Sequence, residues 1–129
     1  MTMHIAKAAF LIAALSPSAV RAAPDTRHMA ALQEEGRAVF KENCASCHGP
    51  GIGNPGLAHK PGTAALQAKY AGAVPALLEQ RTDMAPEMIA YFVRNGISVM
   101  PMFRKTEVSD AQLRALEAYL TRNSKPPRR

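Results

Sequence analysis

The chain has no tryptophan, and only 5% of its 129 residues are aromatic. Stacked large rings therefore cannot supply the core. Cysteine is nearly absent too, with only Cys44 and Cys47. Two thiolates are too few for a closed all-cysteine zinc site. The apolar run Ala8-Ala9-Phe10-Leu11-Ile12-Ala13-Ala14-Leu15 is too short to span a bilayer. No strand-like alternation and no internal repeat is visible. The formal charge is +6, but no basic stripe is interleaved with aromatics. The charge therefore does not point to a nucleic-acid partner.

What is present centres on Cys44-Ala45-Ser46-Cys47-His48. Cys-x-x-Cys-His is the attachment signature of c-type haem. Two thiols three residues apart can each add to one vinyl group of the same ring. The next residue then sets an imidazole nitrogen under the iron. Three other readings of the pair stand beside this one. A thioredoxin-like redox disulfide is expected within a βαβ pattern. A zinc site would need two more ligands, and His28 and His59 lack ligand-like spacing. A simple structural disulfide is the third. One covalent haem c is the favoured reading.

The N-terminus has the form of an export leader. Lys7 precedes the apolar run, and Ser16-Pro17-Ser18 breaks it. Val20-Arg21-Ala22 fits the small-x-small rule, which predicts cleavage after Ala22. An uncleaved anchor is the alternative. The expected organisation is a leader over 1–22, one domain over 23–123 and a disordered tail over 124–129. Lys7 and Arg21 leave with the leader, which lowers the formal charge from +6 to +4. Export agrees with the haem motif, because c-type haem is joined outside the bacterial inner membrane. A periplasmic protein without stable membrane insertion follows.

The remaining patterning predicts an all-α fold, with helices wrapped around the haem. A first helix is expected from about His28 to Asn43, with Gly36 open to close contact with another helix. Glycine and proline make 49–62 a loop. Thr63 could cap a short helix through about Tyr70. Pro75 could open another, ending near Arg81. Pro86 opens a stronger helix with Met88, Ile89, Phe92 and Val93 on its apolar face, stopped by Asn95-Gly96. An irregular loop follows from Ile97 to Lys105. Ser109 and Gln112 form a capping box for the last helix. Leu113, Leu116 and Leu120 make that helix's stripe, with Tyr119 beside it.

His48 supplies one axial bond, and an electron carrier usually fills the opposite position. Methionine suits reduced iron and raises its potential. Met29 and Met88 are expected in the core, and Met84 has no clear role. Met100 and Met102 share a loop held by Pro101. Met100 is favoured, because a proline directly after the ligand fixes its backbone. Met102 would then pack near the haem edge. His59 is a weaker nitrogen candidate, and both loop methionines acting only as packing is the bland alternative.

These residues resemble a class I c-type cytochrome over nearly the whole mature chain. The likeness rests on the haem motif, Met100-Pro101 in a late loop, and a closing helix with Leu116 and Tyr119. It implies that Gly36 and Phe40 on the first helix cross that last helix. It also implies a loop proline whose carbonyl accepts a bond from the proximal histidine. Pro61 is the better match and Pro55 the alternative. A narrower stretch, Phe92-Val93-Arg94-Asn95-Gly96 to Met100-Pro101-x-Phe103, is similar to the cytochrome subunit of p-cresol methylhydroxylase and related flavoproteins. There the flavin subunit oxidises a phenol and the cytochrome accepts electrons singly. The segment from Gly49 to Arg81 is longer here than in those proteins.

The expectation is a non-catalytic carrier of single electrons. His48 and Met100 ligate the iron, and Cys44 and Cys47 hold the ring. Phe92, Ile97, Met102 and Phe103 keep water from one haem face. The expected donor is a flavoprotein dehydrogenase or hydroxylase acting on a phenol or alcohol, with a further electron acceptor downstream. A free soluble shuttle between respiratory complexes, an open-site haem sensor and a haem-free thiol-disulfide oxidoreductase are the alternatives.

Overall fold

The computed structural model describes residues 25–125. The expected leader and the end of the tail lie outside this range. The elements are α1 (Thr26–Asn43), α2 (Ala45–His48), α3 (Pro61–Tyr70), a 3-10 turn (Leu78–Gln80), α4 (Pro86–Asn95) and α5 (Asp110–Leu120). Among the described residues the only β pairing is an isolated antiparallel bridge between Ile97 and Met100. The fold is all-α, as the patterning predicted.

α1 starts where the Asp25 carboxylate accepts the Arg27 N–H, satisfying one free amide of the first turn. Its buried residues are Gly36, Val39 and Phe40. They meet α5, whose buried face is Leu113, Ala115, Leu116, Tyr119 and Leu120. The two backbones touch at Gly36: a Cβ there would lie 2.0 Å from the Ala115 carbonyl oxygen. Any larger residue forces the helices apart. Phe40 and Tyr119 stack tilted on the same crossing, with centroids 6.0 Å apart. Ile89, Val93 and Val108 complete the core with these two helices. The capping box at Ser109 and Gln112 is formed in both directions, at 3.2 and 2.9 Å.

Four expectations need correction. Met29 is 37% exposed rather than core, because the buried part of α1 begins only at Gly36. Thr63 does not cap α3. The helix starts two residues earlier at Pro61, whose fixed φ suits the first turn. Thr63 is instead buried, and its hydroxyl donates to the Gly49 carbonyl at 3.4 Å.

The expected helix from Pro75 shrinks to the 3-10 turn. Arg122 and Asn123 both donate to the Glu79 carbonyl, each at 3.1 Å, and Tyr119 donates to the Glu79 carboxylate. A continuing helix would commit that carbonyl to residue 83. Order also runs further than expected at the C-terminus, where the Lys125 N–H donates to the Thr82 carbonyl at 3.0 Å.

Candidate functional site: the Cys44–His48 turn and the methionine loop

The attachment motif is one helical turn grown from the end of α1. Cys44 closes α1 through its N–H to the Phe40 carbonyl at 2.9 Å. Its own carbonyl then accepts from the Cys47 and His48 amides at 3.1 and 2.8 Å. Residues three apart on a helical turn share a face, so both thiols can serve one ring. Both are free. Cys44 is half-buried against the core, and Cys47 is exposed.

Two long-range bonds hold this turn in place. The Lys60 ammonium donates to the Ala45 carbonyl at 2.8 Å, and Thr63 reaches the Gly49 carbonyl. The His48 imidazole lies on Gly62, where a Cβ would come within 2.6 Å of Cε1. Neither Lys60 nor Gly62 was legible as a site residue. The only available signal was that both flank Pro61.

Electrostatics bear on the redox and zinc readings of the pair. Burial, and secondarily the neighbouring Cys47, push the Cys44 thiol up to about 11. A redox or zinc-binding cysteine needs the opposite, a thiolate stabilised at neutral pH. Among the described residues, no three His, Cys, Asp or Glu side chains cluster as a metal site. Burial holds the His48 imidazole below its ordinary range. It is then neutral at pH 7 and has a lone pair to give to a metal. Its Nδ1 is buried and makes no hydrogen bond. The expected bond from this atom to the Pro61 carbonyl is therefore not formed here, although Pro61 directly precedes the Gly62 seat. A neutral imidazole following two free thiols on one turn fits covalent haem.

The opposite loop is built by contacts distant from the motif. Gly96 ends α4 at φ +67°, ψ 178°, a region open essentially to glycine alone. A Cβ there would also strike the Met100 carbonyl oxygen at 2.5 Å. The chain then turns back on itself. Ile97 and Met100 exchange N–H···O bonds of 3.1 and 2.9 Å, which fixes the Met100 backbone. The loop closes where the Phe103 N–H donates to the Val93 carbonyl at 2.8 Å.

Met100 is half-buried, whereas Met102 is 60% exposed. Ile97 is likewise exposed, at 54%. Phe103 packs on the core, and Phe92 sits edge-on to Tyr91 at 5.4 Å between centroids. A cavity of 540 Å³ opens beside the attachment turn, lined in part by Gly49, Ile52, Thr63 and Leu77. None of His48, Met100 and Met102 lines it.

The family described as cytochrome c oxidase, cbb3-type, subunit III matches residues 31–120. No curated protein and no solved structure matches the chain. The matched span contains the haem motif, the loop with Met100 and the α1–α5 crossing. The chain belongs to this c-type cytochrome family, carries one haem c on Cys44 and Cys47, and is an electron-transfer protein.

Proposed function

We propose that His48 and Met100 would hold the iron of the bound haem, and that the protein is a periplasmic carrier receiving single electrons from a flavin-dependent dehydrogenase or hydroxylase. When bound, haem c supplies a one-electron iron couple. The chain's residues do the rest. His48 offers a neutral nitrogen from a rigid turn, and Met100 offers a thioether from a loop whose backbone is doubly bonded to Ile97. Phe92 and Phe103 limit water near this loop, which favours the less charged reduced state.

The observation that supports the donor assignment is the exposure of apolar side chains on the methionine loop. Ile97, Val99 and Met102 are 54%, 91% and 60% exposed within six residues. Exposed apolar side chains of this kind suit contact with another protein. They lie in the stretch similar to the cytochrome subunits of phenol-oxidising flavoproteins. Phenols or alcohols are the substrate class this likeness implies.

The test is the absorption spectrum of the chain purified gently from its native periplasm. Flavin absorbance accompanying the haem bands is expected. Haem bands without flavin would overturn the donor assignment.

A second reading rests on the family match. Its description names an oxidase subunit, which suits a mobile shuttle delivering electrons to a terminal oxidase. Among the described residues no helix is long and apolar enough to cross a membrane. Rapid, salt-sensitive reduction of an isolated oxidase would favour this reading.

A further inference from the structure

Arg94 occupies the last turn of α4, two residues before the methionine loop begins. Its guanidinium reaches three points at once. Nη1 donates to the Phe103 carbonyl at 3.0 Å and to the Val108 carbonyl at 2.8 Å. Nη2 donates to Asp110 Oδ1 at 3.0 Å. Lys105 holds the other carboxylate oxygen of Asp110 at 2.8 Å. Phe103 is the loop's exit, Val108 is a core residue 1% exposed, and Asp110 opens α5.

One side chain on α4 thus ties the end of the loop to the core at Val108 and to the start of α5. Within the loop itself, the Ile97–Met100 exchange is the only backbone pairing. Only a planar fork with several donors can make this three-way tie, and a lysine ammonium cannot reproduce its geometry.

The geometry points to Arg94 as the positioning residue of the methionine loop, setting how long the axial thioether stays on the iron. This rests on the reading that a loop methionine is the sixth ligand. Arg94 acts through the Phe103 and Val108 carbonyls and not by touching the ligand. Its loss opens the loop without unfolding the α1–α5 crossing, which shares none of its bonds.

The test is displacement of methionine by imidazole in the oxidised, haem-loaded protein, followed by stopped-flow absorbance at pH 7. Displacement waits for the loop to open, so its rate reports opening. Losing a charge-assisted bond is worth roughly ten- to a hundredfold. Arg94→Lys keeps the charge and is expected to speed displacement about tenfold, and Arg94→Ala up to about a hundredfold. Asp110→Asn should change it only about twofold. A merely structural role would lower the unfolding midpoint of Arg94→Lys and leave its displacement rate at the wild-type value. That result would overturn the assignment, and if Arg94→Ala yields no holoprotein, Arg94→Lys decides alone. The ligand reading is checked apart from this. A ferric-methionine band that persists in both Met100→Ala and Met102→Ala would sink that reading, and the role of Arg94 with it.

Discussion

Segments 44–62 and 96–103 place the attachment motif and the proposed methionine ligand by opposite means. In the first, three chemically competent residues sit within five positions on one turn, Cys44 to His48. Local backbone bonds alone set their relative placement, and Lys60 and Thr63 only steady the turn. In the second, Met100 has no chemically competent neighbour in sequence except Met102. Its position depends on the dihedrals of Gly96, the bridge to Ile97 and the anchoring of Phe103. A ligand delivered by a turn is robust to the rest of the fold. A ligand delivered by a loop is only as fixed as its anchors.

The largest expected effect breaks the robust side. His48→Ala should leave little mature holoprotein, read as covalent haem absorbance in the exported fraction. Normal holoprotein from this variant would remove His48 from the site. On the loop side, Met100→Ala should still attach haem, because the thiols and His48 remain. It should lose the ferric-methionine band and lower the potential, on the order of 0.1 V within the range axial ligands command. If Met102→Ala does this instead, the ligand lies two residues further on.

Gly36→Ala tests the platform that both sides share. The added Cβ overlaps the Ala115 carbonyl, so a loss of about 1–3 kcal/mol or more is expected in denaturant unfolding of the holoprotein. An unchanged midpoint would mean that the crossing adjusts freely. Gly96→Ala should be milder globally but specific to the loop. It strains a glycine-only conformation at a cost of about 1–3 kcal/mol. It should weaken the methionine band while leaving haem attachment intact.

The smallest effect lies farthest from the site. Tyr119→Phe removes the hydroxyl donated to Glu79 and should cost about 1 kcal/mol at pH 8. Burial first, and the Glu79 contact second, raise the Tyr119 pKa above its ordinary value. A raised pKa means the folded state holds the proton more tightly. That contribution is present below about pH 10 and is lost as pH rises through the raised value. The gap between wild type and variant should therefore narrow above pH 10, measured by unfolding at pH 8 and pH 11. A constant gap would show that the hydroxyl proton plays no part.

The same contrast explains what could be read before the structure. Helix ends marked by local chemistry appeared where expected: Pro86 and Gly96 bound α4, and the Ser109–Gln112 box opens α5. The Gly36 contact was also legible, since a glycine on a helix's buried face has few uses other than close approach. The expected helix from Pro75 was not formed, because the Glu79 carbonyl serves Arg122 and Asn123, more than forty residues away. Lys60, Gly62 and Arg94 carry no local signature of their roles for the same reason, since each acts on a partner distant in sequence or supplied by another element.

The sequence by itself therefore determined the cofactor, its two attachment points and the position of His48 directly after them, because one helical turn sets their relative placement. It also determined the all-α class, through caps and periodicity that act within a few residues. Only the tertiary structure decided where His48 packs, how the Met100 loop is closed and which side chain anchors it. Those depend on a Cβ that Gly62 lacks, a dihedral that only Gly96 tolerates, and a guanidinium bridging elements that meet only once the chain has folded.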